Sequence, residues 1–171
     1  MYLQGDMERG EVFLTSGFQP PAAEGDLVDQ LDVSCHFQAY ATGGAVLHLF
    51  LGEELSGEQK VRLIRSIVEN FPVYYFTLTP VLVVCNECGE KRVGKWDRCA
   101  KCGSDDVTVW SRPVGYFRPV MRKRVRKDFR GAEYTFWLDA RIEDFARRKV
   151  WMQEDIERFI DEVEEVWRSG E

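Results

Sequence analysis

The sequence lacks a hydrophobic run long enough to cross a membrane. Its longest apolar stretch, Phe71 to Cys85, is interrupted by Thr77, Thr79 and Pro80, whereas a transmembrane helix needs about 20 consecutive apolar residues. An apolar leader is also lacking, because Met1 opens a segment rich in polar and charged residues. We therefore expect a cytoplasmic protein that has no membrane partner.

An excess of positive charge is absent as well. The 171 residues carry 23 Lys and Arg against 29 Asp and Glu, a formal net charge of −6, whereas general nucleic-acid binders are usually basic. We therefore do not expect a nucleic acid as partner, and we interpret the basic run 122–130 as a solvated or subunit-docking surface. Internal repeats and low-complexity tracts are also missing. Hydrophobic residues make up 44% of the chain, which is enough for a packed core.

Cysteine is present in a specific pattern: four of the five cysteines form two CxxC pairs ten residues apart. Each pair is followed by a glycine, Gly89 or Gly103, which permits a tight turn around the sulfurs. Four thiolates at this spacing are typical of a closed, structural Zn²⁺ site of the zinc-ribbon type, and an iron site or redox dithiols are the alternatives. Cys35 stands apart and is interpreted as a buried thiol. The predicted metal ligands are Cys85, Cys88, Cys99 and Cys102.

The middle of the chain has the pattern of a βαβ unit. The apolar run 45–51 has the length of a strand, and Ser56 can cap a helix from Gly57 to Phe71. A second strand-like run covers 73–84, with an interruption at Pro80. The strands of such a unit are normally parallel. Because two strands cannot form a stable parallel sheet alone, either the N-terminal region adds strands or another chain completes the sheet.

Helices are predicted on both sides of this unit. The first 30 residues favour irregular structure, and a weak helical pattern follows from Asp26 to Tyr40. From Ile142 to Trp167 apolar residues recur at helical spacing, and Gly170 is a plausible end. The predicted apolar face of the helix inside the βαβ unit consists of Val61, Leu63, Ile64, Ile67 and Val68.

Residues 110–120, WSRPVGYFRPV, place Gly115 between two proline-stiffened arms. One interpretation is a loop in which Gly115 supplies a positive φ. The other is that Gly115 carries a radical on its Cα, stabilised by donation from its nitrogen and withdrawal by its carbonyl. A side chain would oppose the planar Cα that such a radical needs, so glycine is favoured. The residues alone leave both interpretations open.

Three segments resemble one enzyme family. RPVGYFRPV (112–120) resembles the glycyl-radical signature of the anaerobic (class III) ribonucleoside-triphosphate reductases, whose pattern is close to RVxGYLRPV. TGGAVLHLFLGE (42–53) resembles the family's TGGTVxHxFLGE, and YYFTLTPVLVVC (74–85) resembles its PYFTITPTFSVC. The four paired cysteines fall where that family has its C-terminal zinc site. The resemblance covers about residues 15–135.

The resemblance implies a function and a set of site residues. Gly115 would be the radical glycine, with the radical installed by a radical S-adenosylmethionine activase, and the four paired cysteines would bind zinc. In the family, the radical loop inserts into a βα barrel. There it generates a thiyl radical on a cysteine, which abstracts the 3′-hydrogen of a ribonucleotide. The chain would thus be the radical-bearing subunit or fragment of an oxidoreductase that works with a large barrel-bearing chain.

The sequence also departs from the family. Members are several times longer, and Cys35 lies before the TGG segment, so the thiyl role is not assigned to it. Residues 136–171 extend past the family's usual end. We interpret their apolar stripe from Trp151 to Trp167 as packing, and docking to the partner or to a second copy of the chain is a further hypothesis. His48 is interpreted as a core histidine, with a catalytic role as the alternative. Alternative functions are a zinc-ribbon adaptor and a spare-part protein that restores a damaged reductase.

The predicted fold class is α+β. It combines a βαβ unit that completes a glycyl-radical-enzyme barrel with a Cys₄ zinc ribbon, a glycyl-radical loop and C-terminal helices. The predicted segments are a wrapping segment (1–41), the βαβ unit (42–84), the zinc ribbon (85–108), the glycyl-radical loop with the basic run (109–130) and the helical tail (131–171).

Overall fold

The computed structural model describes residues 2–4, 13–15, 25–94, 98–112, 115, 117–122 and 148–169. Its elements, in chain order, are β1 (Tyr2–Gln4), β2 (Phe13–Thr15), α1 (Leu27–Gln38), β3 (Leu47–Leu51), α2 (Gly57–Asn70), β4 (Phe76–Pro80), β5 (Leu82–Cys85), β6 (Lys91–Val93), β7 (Val107–Ser111), β8 (Arg118–Arg122) and α3 (Gln153–Ser169). Helices and sheets are mixed, as predicted. In the parts of the chain that the structure describes, no helix has the length and apolar character needed to span a membrane.

Local side-chain caps set where the first two helices begin. The Asp26 side chain accepts a hydrogen bond from the Asp29 N–H at 2.9 Å, and the Asp29 side chain accepts one from the Asp26 N–H at 3.0 Å. Ser56 and Gln59 form the same reciprocal box at the start of α2. Both boxes satisfy backbone donors that would otherwise lack partners. The predicted helix start after Ser56 is confirmed.

The predicted βαβ unit is present, since β3 and β4 pair in parallel and α2 connects them. Pro80 ends β4, and β5 then enters a different sheet, so the single strand-like run predicted over 73–84 is two strands. That second sheet is antiparallel and has the order β6-β5-β7-β8. β1 and β2 form a separate antiparallel pair, where the sequence predicted irregular structure.

The two faces of β3 pack against different cores. Leu49 and Leu51 join a helical core, whereas Phe50, on the opposite face, joins a core built from the four-stranded sheet. Successive side chains of a strand point to opposite faces, so a single strand serves both cores. The helical core contains Leu27, Leu31, Leu49, Leu51, Leu55, Leu63, Ile67, Trp151, Ile156, Phe159, Ile160 and Val163.

The predicted apolar face of α2 is wrong in part. Leu63 and Ile67 are fully buried, but Val61, Ile64 and Val68 are 59%, 42% and 61% exposed. The spacing of apolar residues identifies the apolar side of a helix, but it does not show how many of those residues the neighbouring elements cover. Within the described residues, Leu63 and Ile67 are the apolar side chains of α2 that join the helical core.

The chain after Arg148 packs across the end of β3. The Trp151 N–H donates to the Phe50 carbonyl at 2.7 Å, and the Gly52 N–H donates to the Trp151 carbonyl at 2.9 Å. A Cβ on Gly52 would lie 2.6 Å from the Met152 sulfur and 2.8 Å from a methyl of Val150. A side chain at position 52 would force Met152 and Val150 to shift, which favours the glycine of the FLGE segment.

Most of the described apolar stripe of the predicted tail is buried inside the chain. Trp151, Ile156, Phe159, Ile160 and Val163 all lie in the helical core, whereas Met152 and Val166 are exposed. The five buried side chains pack with α1, α2 and β3, and a homo-oligomer through the tail stays a prediction. Tail residues before 148, the basic run after 122 and the proposed stop at 170 lie outside the described residues.

Replacing the buried indole tests the docking of the tail. Trp151 is 2% exposed, so Trp151→Ala should lower the free energy of unfolding by about 3–5 kcal/mol. Met152 is 42% exposed, and Met152→Ala should change it by less than about 0.5 kcal/mol. Denaturant unfolding of both variants measures the difference. Equal stabilities would show that the tail does not pack in solution as described.

Candidate metal centre and glycine hairpin

The four paired cysteines converge at one end of the four-stranded sheet. All four Sγ atoms lie within 4.8 Å of one another, and the pairs Cys85–Cys102 and Cys88–Cys99 are each 3.6 Å apart. Tetrahedral zinc with Zn–S bonds of about 2.3 Å holds its sulfurs about 3.8 Å apart. The donor set and its dimensions therefore fit one zinc ion. Cys35 lies outside this cluster and is buried, as predicted.

Two matching turns build the cluster. The Gly89 N–H donates to the Cys85 carbonyl at 3.1 Å, and the Gly103 N–H donates to the Cys99 carbonyl at 2.8 Å. Both glycines have a φ of +73°, which costs a side-chain-bearing residue energy that glycine does not lose. The glycines that follow each CxxC pair thus have the role that the sequence predicted.

The thiols affect one another's ionisation. The Cys102 N–H donates toward Cys99 and, against the effect of burial, lowers the pKa of Cys99 to about 7. The Ser104 N–H favours the thiolate of Cys102 as well, but the thiol of Cys88, burial and the thiols of Cys85 and Cys99 together outweigh it and raise the pKa of Cys102 to about 12. Four thiolates this close repel one another, and a bound cation relieves that repulsion.

One side chain that the sequence analysis missed ties the first turn to the sheet. The Asn86 side-chain amide donates to Asp106 at 2.8 Å and to Thr108 at 3.0 Å, and Thr108 donates back to the Asn86 carbonyl oxygen. Thr108 is 1% exposed, so these bonds are sheltered from water. The signal for this role in the sequence was the asparagine between the two cysteines of the first CxxC pair. Asn86 fixes the cluster to the start of β7.

Gly115 lies at the opposite end of β7, in the loop that joins β7 to β8. Ser111 and Arg118 are the last paired residues of this hairpin. Gly115 is exposed, its φ is +106°, and, chain neighbours aside, no heavy atom of the described residues lies within 4 Å of the place a Cβ would occupy. With a rise of about 3.4 Å per residue, the five-residue β7 puts the loop roughly 15 Å from the cysteine end. The tip is open to solvent and to another chain.

The polar face of β3 and β4 lies close to the hairpin. His48 Nδ1 contacts the Thr77 hydroxyl at 2.8 Å and the Thr79 hydroxyl at 3.3 Å. Burial, with the positive charges of Arg112 and then Arg148, lowers the pKa of His48 to about 4. The imidazole is therefore neutral at pH 7. It sits as a polar member of the sheet, and the catalytic alternative stays untested.

The two arginines beside His48 were not found from the sequence. Arg112 ends the β7 arm of the hairpin, and Arg148 stands near the start of the tail, far from His48 along the chain. Only tertiary packing brings the three together. The contact between His48 and Thr77 could be predicted from the sequence, because the parallel pairing of β3 and β4 places these two residues opposite each other.

Comparison with known proteins places the chain among reductases. The sequence model of a family described as anaerobic ribonucleoside-triphosphate reductase matches residues 2–135. A solved structure titled anaerobic ribonucleotide reductase is similar over 80% of this chain, with a TM-score of 0.56 and 24% sequence identity, which shows a shared fold. The chain covers 20% of the length of that solved chain. No curated protein matches it.

Removing one sulfur tests the metal centre. Cys99→Ser should abolish zinc binding and unfold the two turns, since structural zinc contributes on the order of 10 kcal/mol to such folding. Metal analysis of the purified protein, combined with thermal unfolding, measures both effects. The matched control is Cys35→Ser, which removes a cysteine outside the cluster and should leave the zinc content unchanged. Zinc retained by Cys99→Ser would contradict a four-sulfur site.

The neutral imidazole predicts a pH dependence of stability. The pKa of His48 falls from 6.5 to about 4 on folding, so the unfolded chain takes up a proton first as the pH drops. This contribution to stability is complete above pH 6.5 and is lost as the pH falls toward 4. NMR titration of the imidazole should give the low pKa. Unfolding of wild type and His48→Gln at each pH isolates the effect, and a parallel pH dependence in both would contradict it.

Proposed function

The chain belongs to the anaerobic ribonucleoside-triphosphate reductase family, and from that membership we propose that it stores a glycyl radical on Gly115 for ribonucleotide reduction. The observation that carries this proposal is the position of Gly115. It lies within the matched residues, in the loop of a hairpin, and it is exposed with a positive φ. Among the described residues other than its chain neighbours, nothing lies within 4 Å of the place a Cβ would occupy. A larger reductase chain would supply the barrel and the substrate site.

The geometry suits glycine for a chemical reason as well as a conformational one. Removing a hydrogen atom from Cα leaves a planar centre conjugated with the amide nitrogen on one side and the carbonyl on the other. A branched Cα would crowd that plane. The open surroundings of Gly115 leave room for an activase to reach the Cα hydrogen and for a barrel to enclose the tip afterwards.

The proposed sequence of steps balances in hydrogen atoms. A radical S-adenosylmethionine activase generates a 5′-deoxyadenosyl radical, which takes the Cα hydrogen of Gly115 and becomes 5′-deoxyadenosine. Inside the barrel, the Gly115 radical takes the thiol hydrogen of a cysteine of the large chain and leaves a thiyl radical there. The thiyl radical then abstracts the 3′-hydrogen of the bound ribonucleotide. Gly115 regains its radical when the hydrogen returns along the same route. The reduction itself replaces the 2′-hydroxyl by hydrogen and releases water, and its two electrons and two protons would come from a separate reductant, formate or a thioredoxin-like protein.

The other elements have supporting roles in this proposal. Zinc, held by the four clustered cysteines, would fix the end of β7 that lies opposite the Gly115 loop; its closed ligand set leaves no position for substrate. The parallel β3–β4 pair would add strands to the barrel of the large chain, since a two-stranded parallel sheet is not stable alone. The described part of β4 has an unpaired outer edge that suits this role.

Replacing Gly115 with alanine, which adds a side chain to the Cα, tests the proposal. After anaerobic activation with the large chain and the activase, wild type should give the doublet of a glycine-centred radical in electron paramagnetic resonance, and Gly115→Ala should give none. Gly44→Ala is the matched control, because Gly44 also has a positive φ, +81°, and open surroundings. It should retain the doublet, and both variants should retain zinc.

Exposure of the activated protein to oxygen is the experiment that could contradict the proposal. A Cα radical reacts with dioxygen and the backbone then breaks at that residue, so air exposure of activated wild type should split the chain close to Gly115. Mass spectrometry should find fragments of about residues 1–114 and 115–171. An intact chain without a doublet would exclude the radical and favour the zinc-ribbon adaptor as the function.

A further inference from the structure

Two side chains face each other across the loop that carries Gly115. Arg112 directly follows β7 and Phe117 directly precedes β8, so they stand at the two ends of the loop. The guanidinium carbon of Arg112 lies 5.1 Å from the centre of the Phe117 ring, within the range of a cation–π interaction. The contact therefore bridges both arms of the loop just beyond the last strand pair, Ser111–Arg118.

The surroundings of Arg112 favour this contact. Its Nε is buried and finds no hydrogen-bond partner in the described part of the chain. Its positive charge also acts on His48, which lies on the polar face of β3 and β4. Exclusion of water strengthens the attraction between a guanidinium and an aromatic face. Phe117 keeps 36% of its surface exposed, so the ring is not required to fill the core.

We propose that the Arg112–Phe117 contact is a clasp that holds the two arms of the loop together and so fixes the position of the Gly115 Cα. The two side chains are positioning residues, because neither touches the Cα hydrogen. The glycyl-radical signature that the segment resembles has leucine where Phe117 stands, and leucine offers no aromatic face. The clasp is a property of this chain before activation, and only its value for radical chemistry rests on the proposed function.

Amide hydrogen exchange tests the clasp without any radical. The amides of Ser111 and Arg118, at the last pair of the hairpin, report on opening of the loop. In Phe117→Leu and in Arg112→Gln their exchange should accelerate about twofold to thirtyfold, the range that corresponds to a cation–π contact. Phe117→Trp and Arg112→Lys keep an aromatic face and a cation, and should exchange at nearly the wild-type rate.

The control separates the clasp from a general effect of losing charge or bulk. Arg65→Gln removes an exposed arginine of α2 that pairs with Glu69, and it should leave both hairpin amides unchanged. A role in packing alone would tolerate leucine and reject the larger tryptophan, the reverse of the expected order. Wild-type exchange in Phe117→Leu would overturn the clasp.

A second measurement distinguishes failure of the clasp from failure of the proposed function. After anaerobic activation, radical content per chain should fall in Phe117→Leu and recover in Phe117→Trp. Faster exchange with unchanged radical content would overturn the positioning role. If wild type itself forms no radical, the proposed function fails, and the exchange rates still decide whether the clasp exists.

Discussion

The four-stranded sheet depends on holding four cysteine sulfurs within 4.8 Å of one another. Its strands have only three to five residues each, too short to form a stable platform through backbone hydrogen bonds alone. Cys85 ends β5, and the turn after Cys102 leads into β7, so a cation among the sulfurs would join the two central strands at their ends. β7, one of these two strands, continues into the loop that carries Gly115.

The second constraint is that β3 serves two cores at once. Its leucines face the helices, while His48 and Phe50 face the four-stranded sheet, with ring centres 5.9 Å apart. Any shift of β3 by one residue would exchange these faces. The tail fixes the register from the other side, because Trp151 bonds to the backbone on both sides of Leu51. The positions of the hairpin and of the helical core therefore both depend on β3.

The features predicted from the sequence are the ones that depend on short spacing. The two CxxC pairs with their glycines, the cap at Ser56 and the parallel βαβ unit all follow from residues a few positions apart. The features that were missed depend on distant residues. The exposure of Val61 and Ile64 reflects how much of α2 the tail covers, and the requirement for glycine at position 52 arises from a segment that crosses it 100 residues later. Neither feature can be predicted from residues that are close together in the sequence.

The position of Gly115 joins these constraints into one argument. A radical on a solvent-exposed Cα is short-lived in the presence of oxygen, so an open tip is useful only if a second structure encloses it after activation. Enclosure demands that the tip protrude, and transfer of a hydrogen atom demands that it stay in one place. A short hairpin that connects through β7 to the cysteine cluster and has glycine at position 115 would meet both demands of the proposed radical chemistry. Stiffness at the base and openness at the tip are therefore two requirements of the same chemistry.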